Sequence, residues 1–214
     1  FTGHFDGKGH TISGLKVRGE LASSDGLFGI IGSDGEVRNL VLSDVDIATT
    51  NLSGSTGALA GKLEGEAVNI RVTGGTVAGV SNVGGLVGET SGGAVITASC
   101  ASVKVEGSGL SAGGLVGHLA NATVTESCAT GEVIGNSNVG GLAGTIDNSE
   151  VADSYAAGSV SGYANVGGLI GMVFFDLDTF EATSTVERVH AVGKVTNPDE
   201  SAGGLIGANT DRKS

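Results

Sequence analysis

The chain has 214 residues with 11 basic and 23 acidic side chains, a net charge of −12, which repels phosphate backbones and anionic membrane surfaces and makes nucleic acid an unexpected partner. Forty glycines against one proline exclude collagen, and a 39% apolar fraction is too high for a disordered glycine-rich linker. No apolar run approaches the roughly 20 residues of a membrane helix, so no membrane insertion is expected, and Phe1 does not begin a signal sequence.

In chain order, residues 1–15 read as short strands broken by Asp6-Gly7 and Lys8-Gly9 turns. They differ from the later coils, so residues 1–25 are expected to form an atypical opening coil or partial cap. From there one motif recurs: Asp25-Gly26-Leu27-Phe28-Gly29, Gly57-Ala58-Leu59-Ala60-Gly61, Gly84-Gly85-Leu86-Val87-Gly88, Gly113-Gly114-Leu115-Val116-Gly117, Gly140-Gly141-Leu142-Ala143-Gly144, Gly167-Gly168-Leu169-Ile170-Gly171 and Gly203-Gly204-Leu205-Ile206-Gly207. The seven leucines are spaced by 32, 27, 29, 27, 27 and 36 residues. A period near 27 with the excess confined to a few places signals a solenoid.

After each motif comes a polar turn and a second shared segment, such as Ser127-Cys128-Ala129-Thr130-Gly131-Glu132-Val133 and Ser154-Tyr155-Ala156-Ala157-Gly158-Ser159-Val160. Each alternates with period two, as strands do, and no stretch shows sustained helical spacing. The expected fold is all-β: a single parallel β-solenoid over residues 1–214 with about seven coils, cut from something longer. At about 4.8 Å per stacked strand it would be a rod of roughly 30 Å.

Alternation also assigns faces. Ala101, Ala129, Ala156 and Ala191, with Val105, Val133, Val160 and Val195, form a monotonous parity suited to the interior. Val72, Cys100, Cys128, Tyr155 and His190 form a varied parity suited to an outward or corner position. The paired glycines fit a corner that needs either positive φ or close approach of coils, with the following leucine as the buried knob.

The Gly-Leu-x-Gly recurrence, the following Ser-Tyr/Cys-Ala-x-Gly-x-Val and the opening Phe5-Asp6-Gly7-Lys8-Gly9-His10-Thr11-Ile12 resemble the GLUG repeat of bacterial surface proteins. Such repeats occur in adhesins similar to filamentous haemagglutinin and in non-catalytic regions of immunoglobulin A metallopeptidases. The resemblance implies an extracellular or cell-surface solenoid whose partner is a host or cell-surface protein or glycan. It brings no catalytic motif and no cofactor, and the second copy departs from it at Gly57-Ala58.

No His-Glu-x-x-His zinc site is present, and His4, His10, His118 and His190 are scattered in surface or turn contexts. Aligning the copies stacks Glu126, Asp153 and Arg188, an arrangement that a glycan-cleaving β-helix would need and that an exposed polar column would equally produce. Asp176 and Asp178 read as a solvated acidic loop with a weak resemblance to calcium ligands, so no metal site is assigned. Cys100 and Cys128 fall in one column of adjacent coils, within disulfide reach, either bonded or as a reduced ladder. The longest step between motifs carries a surplus containing Phe174, Phe175 and Phe180, which form either a partner contact or a flap folded over the solenoid flank.

Overall fold

The computed structural model describes residues 1–19, 24–50, 52–174, 184–198 and 201–209. Among them every regular element is a strand, and every strand pairing is parallel. The coils form a prism of stacked rungs with three sheets: a sixteen-stranded sheet A and two seven-stranded sheets, B and C. Each of the seven coils contributes one strand to B and one to C, and the strands in both follow chain order. The chain is therefore a parallel β-solenoid.

Residues 4–19 are part of this stack. His4–Asp6, Thr11–Ser13 and Lys16–Gly19 all pair in parallel with the long strand Glu36–Thr49 of the next coil. That strand in turn runs in register with Glu66–Gly79.

The Gly-Gly-Leu-x-Gly motif is the turn between sheets B and C. In the fourth coil Ser111–Gly113 lies in B, Gly114 and Leu115 make the bend, and Val116–Ala120 lies in C. The glycines are required by close approach, since none of the three in this motif has a positive φ. A Cβ on Gly113 would collide with the carbonyl of Val116 in its own coil. On Gly114 it would collide with the carbonyl of Gly141 in the next coil and reach within 2.8 Å of the Ala129 Cβ. A Cβ on Gly117 would strike the backbone of the preceding coil at Asn82 and Val83. Sheets B and C thus press together backbone to backbone, and the bend sends the leucine inward against sheet A. Leu59, Leu86, Leu115, Leu142 and Leu169 are buried in the continuous core, while Leu205 in the last coil is 39% exposed.

Positive φ appears elsewhere, notably at two corners that step sheet A around the rod. One is the column Asn39, Asn69, Ala98, Glu126, Asp153 and Arg188, with φ between 50° and 54°. The other holds Gly92 and Gly93 together with Asn121 and Asn148. Behind the first corner runs an inward serine ladder. The backbone N–H groups of Ile70, Ser99 and Ser127 donate to Ser99 Oγ, Ser127 Oγ and Ser154 Oγ at 3.0, 3.2 and 3.1 Å. Each of those hydroxyls donates back to a carbonyl two residues earlier at 2.7 to 2.9 Å. A buried corner leaves backbone groups without strand partners, and these serines satisfy them.

The interior parity holds for Ala101, Ala129, Ala156, Val105, Val133 and Val160, all buried, with Ala191 and Val195 half-buried in the last coil. Val72 is a correction. It pairs with Ala101 and is buried, whereas Arg71 occupies the Cys100 column. The cause is a bulge at Gly74 and Gly75, both with positive φ, where the register shifts between Ser102 and Lys104. One extra residue flips parity, so equal steps counted back from Val77 land on the wrong face.

Candidate functional site

The outward face of sheet A ends in a column of Ala78, Glu106, Ile134 and Ser161, set by the pairings of neighbouring coils. The next residues are Gly79, Gly107, Gly135 and Gly162. They lack a Cβ because the inward column of sheet B comes too near: a Cβ on Gly107 would lie 2.8 Å from that of Ala112, and one on Gly135 2.6 Å from Val139 Cγ2. The chain then turns into sheet B, and those turns project Val80, Leu110 and Tyr163.

The result is a groove of about 600 Å3 along the rod, walled by Val80, Ile134 and Tyr163, with Thr49, Thr50, Glu106, Ser108 and Asn136 as its polar members. A second concavity of about 200 Å3 shares Ile134, Gly135 and Tyr163 and is also lined by Thr196 and Pro198. Tyr163 is 60% exposed and Ile134 36%, and the same row of turns exposes Leu52 and Leu110. Glu106 is held by Lys104 at 2.6 Å, which keeps the lysine pKa above its usual value through that hydrogen bond and the carboxylate's charge. Isolated exposed apolar side chains are ordinary but contiguous ones are not, which makes this strip, with a fixed charge beside it, the candidate site of the chain. Alignment of strands hides it; alignment of the residues that follow Gly79, Gly107, Gly135 and Gly162 places Val80, Ser108, Asn136 and Tyr163 in one row.

The sequence-derived candidates fall elsewhere. Phe174 is exposed at the end of Ile170–Val173, and Phe175, Phe180, Asp176 and Asp178 lie outside the described residues. Cys100 and Cys128 are in register, with Cα atoms 4.5 Å apart, and are joined as a disulfide. Tyr155 comes next in the same column and stacks on His190 with ring centroids 5.1 Å apart and planes within 6°.

Glu126, Asp153 and Arg188 do share one corner column, all exposed. Arg188 grips both oxygens of Asp153 at 2.7 and 2.9 Å, and these bonds hold that carboxyl below the usual carboxylate range. A general acid needs a raised pKa, so this pair is arranged as an ion pair. Among the described residues no group of three or more His, Cys, Asp or Glu side chains could hold a metal, and no helix is long and apolar enough to cross a membrane.

These features define the class: a parallel β-solenoid with a Gly-Gly-Leu-x-Gly bend in successive coils. Residues 135–161 match the family described as the GLUG motif, so the chain carries a GLUG repeat there, and the flanking coils repeat its bend in register. The chain is 39% identical over 104 residues to halomucin of Haloquadratum walsbyi, covering 49% of this chain and 1% of halomucin. It is 38% identical over 72 residues to a Gly-rich membrane protein of Evansella cellulosilytica, covering 34% of this chain and 8% of that protein. Among solved structures it resembles an IgA1 protease chain with a TM-score of 0.59 and 24% identity, over 82% of this chain and 15% of that one. It also resembles a chain described as an immunoglobulin A1 protease from Bacteroides ovatus, with a TM-score of 0.64 and 20% identity, over 94% and 66%. At those identities the structural likeness is one of fold, and the chain spans only a small part of the curated relatives it matches.

Proposed function

We propose that this chain is a non-catalytic solenoid segment of an extracellular or cell-surface protein, acting as an adhesive rod whose contact surface is the groove along the turns into sheet B. The carrying observation is that groove: apolar, open and continuous over several coils, on a rod held rigid by stacked sheets. A surface location is supported by the matched regions of halomucin and of the Gly-rich membrane protein. The partner is a host or cell-surface protein or glycan.

Two measurements test this. Antibody raised against the chain should label intact, unpermeabilised cells of the source; labelling only after lysis would overturn the location. Beads coated with the chain should adhere to candidate surfaces, and a Tyr163→Ser, Ile134→Ser double variant should lose adherence with little change in Tm. Undiminished adherence of that variant would overturn the groove as contact.

The named IgA1 protease neighbours support a second reading, a substrate-binding region attached to a protease domain elsewhere in the parent protein. A His-Glu-x-x-His motif in the full open reading frame would favour it. The third reading, a polysaccharide-processing β-helix, predicts glycan cleavage that is lost in Glu126→Gln.

A further inference from the structure

Asn121 stands at the second positive-φ corner, exposed, with Ala122 and Thr123 after it. The triplet Asn-Ala-Thr is an N-glycosylation acceptor signal, and the local geometry sets its Nδ2 apart from those of Asn69, Asn148 and Asn165. Three asparagines donate Nδ2 along the rod: Asn69 to Asn39 Oδ1 at 2.8 Å, Asn148 to Asn121 Oδ1 at 2.7 Å, and Asn165 to Asn138 Oδ1 at 2.7 Å. Asn121 accepts from Asn148 but has no such acceptor among the described residues on its other side, because the equivalent position one coil back is Gly93.

A Cβ on Gly93 would meet nothing within 4 Å, so the space beside Asn121 Nδ2 is open. It forms a polar concavity of about 390 Å3 bordered by Gly93, Asn121, Thr123, Asn148, Glu150 and Thr185. Thr123 lies two residues on, in Ala122–Thr125, facing outward on the column of Val95 and Glu150. The backbone of Asn121 is held on both sides, its N–H donating to the Asp147 carbonyl at 3.1 Å and its carbonyl accepting from Gly93 at 2.8 Å.

We propose that Asn121 is an N-glycan acceptor, with the first sugar seated over Gly93 and beside Glu150. In the reaction Nδ2 forms a bond to the anomeric carbon of a glycosyl donor bearing a phosphate leaving group. The bond from that carbon to the phosphate oxygen breaks, and Nδ2 releases one proton. Oδ1 takes no part, so the bond from Asn148 survives and the coil stack is undisturbed. The proposal is independent of adhesion by the groove. A second triplet, Asn51-Leu52-Ser53, begins at a residue outside the described set.

The test is peptide mapping by mass spectrometry of protein recovered from its natural source, with fragmentation that retains the glycan. The expected result is a sugar mass on the peptide containing Asn121. Thr123→Ser, expressed in the same host, should keep it, while Thr123→Val should lose it with an unchanged Tm, because the Thr123 side chain makes no hydrogen bond among the described residues. An unmodified Asn121 peptide in source material overturns the proposal, and so does a modification that persists in Thr123→Val.

Discussion

Replacing Leu142 with alanine tests the assignment of the bend leucine as the knob of each coil. Its side chain is 1% exposed, between coils that carry Leu115 and Leu169 in the same place. The substitution removes about three buried carbons, worth about 2.4 kcal/mol at 0.8 kcal/mol each. The tight sheets around it cannot collapse into the space, because the flanking glycines already sit at backbone contact, so a cavity term adds to the loss. The total expected is about 3 to 5 kcal/mol. Leu205→Ala makes the same chemical change at the same motif position. Because Leu205 is already 39% exposed and its surroundings can relax, the loss there should be about 1 to 1.5 kcal/mol. Both losses are read from urea denaturation monitored by far-UV circular dichroism, with the slopes compared to detect any change in cooperativity. Equal losses at the two positions would refute the reasoning, since the motif would then matter through something other than burial.

Asp25 faces the interior in register with Thr56, 8% exposed, with no partner for Oδ2 among the described residues, and burial raises its pKa. An acid whose folded pKa is raised holds its proton more tightly when folded, so stability falls as pH climbs from the unfolded value toward the folded one. Asp25→Thr should therefore stabilise the chain by about 1 to 3 kcal/mol at pH 7 and by much less near pH 3; an equal gain at both would refute this. The bridge between Cys100 and Cys128, 28 residues apart, should contribute about 3 to 4 kcal/mol, lost on reduction. Two free thiols in the unfolded, unreduced protein would show that no bridge forms. Gly140→Ala should cost more than Gly141→Ala in the same denaturation assay, since its Cβ would strike the Ala143 carbonyl within its own coil, while the second coil already carries Ala58 at the position of Gly141. The reverse order would count against close approach as the reason for the first glycine.

The periodic spacing of the leucines was enough to specify a solenoid of about seven coils, because each coil must bury the same knob against its neighbours and so repeats it. Period-two alternation likewise placed Ala129 and Val133 inside. Register was legible only where coils have equal length. The glycine bulge at Gly74 and Gly75 broke that equality and moved Val72 from the outward column to the core, a shift that strand pairing alone reveals. The serines of the inward ladder look like polar turn residues in sequence, since their burial depends on a corner whose backbone groups only the folded stack leaves unpaired. The apolar groove was equally hidden. Val80 and Tyr163 each follow a column glycine but stand three coils apart, and with Ile134 they become one surface only when stacking brings the intervening turns side by side, a few ångströms apart.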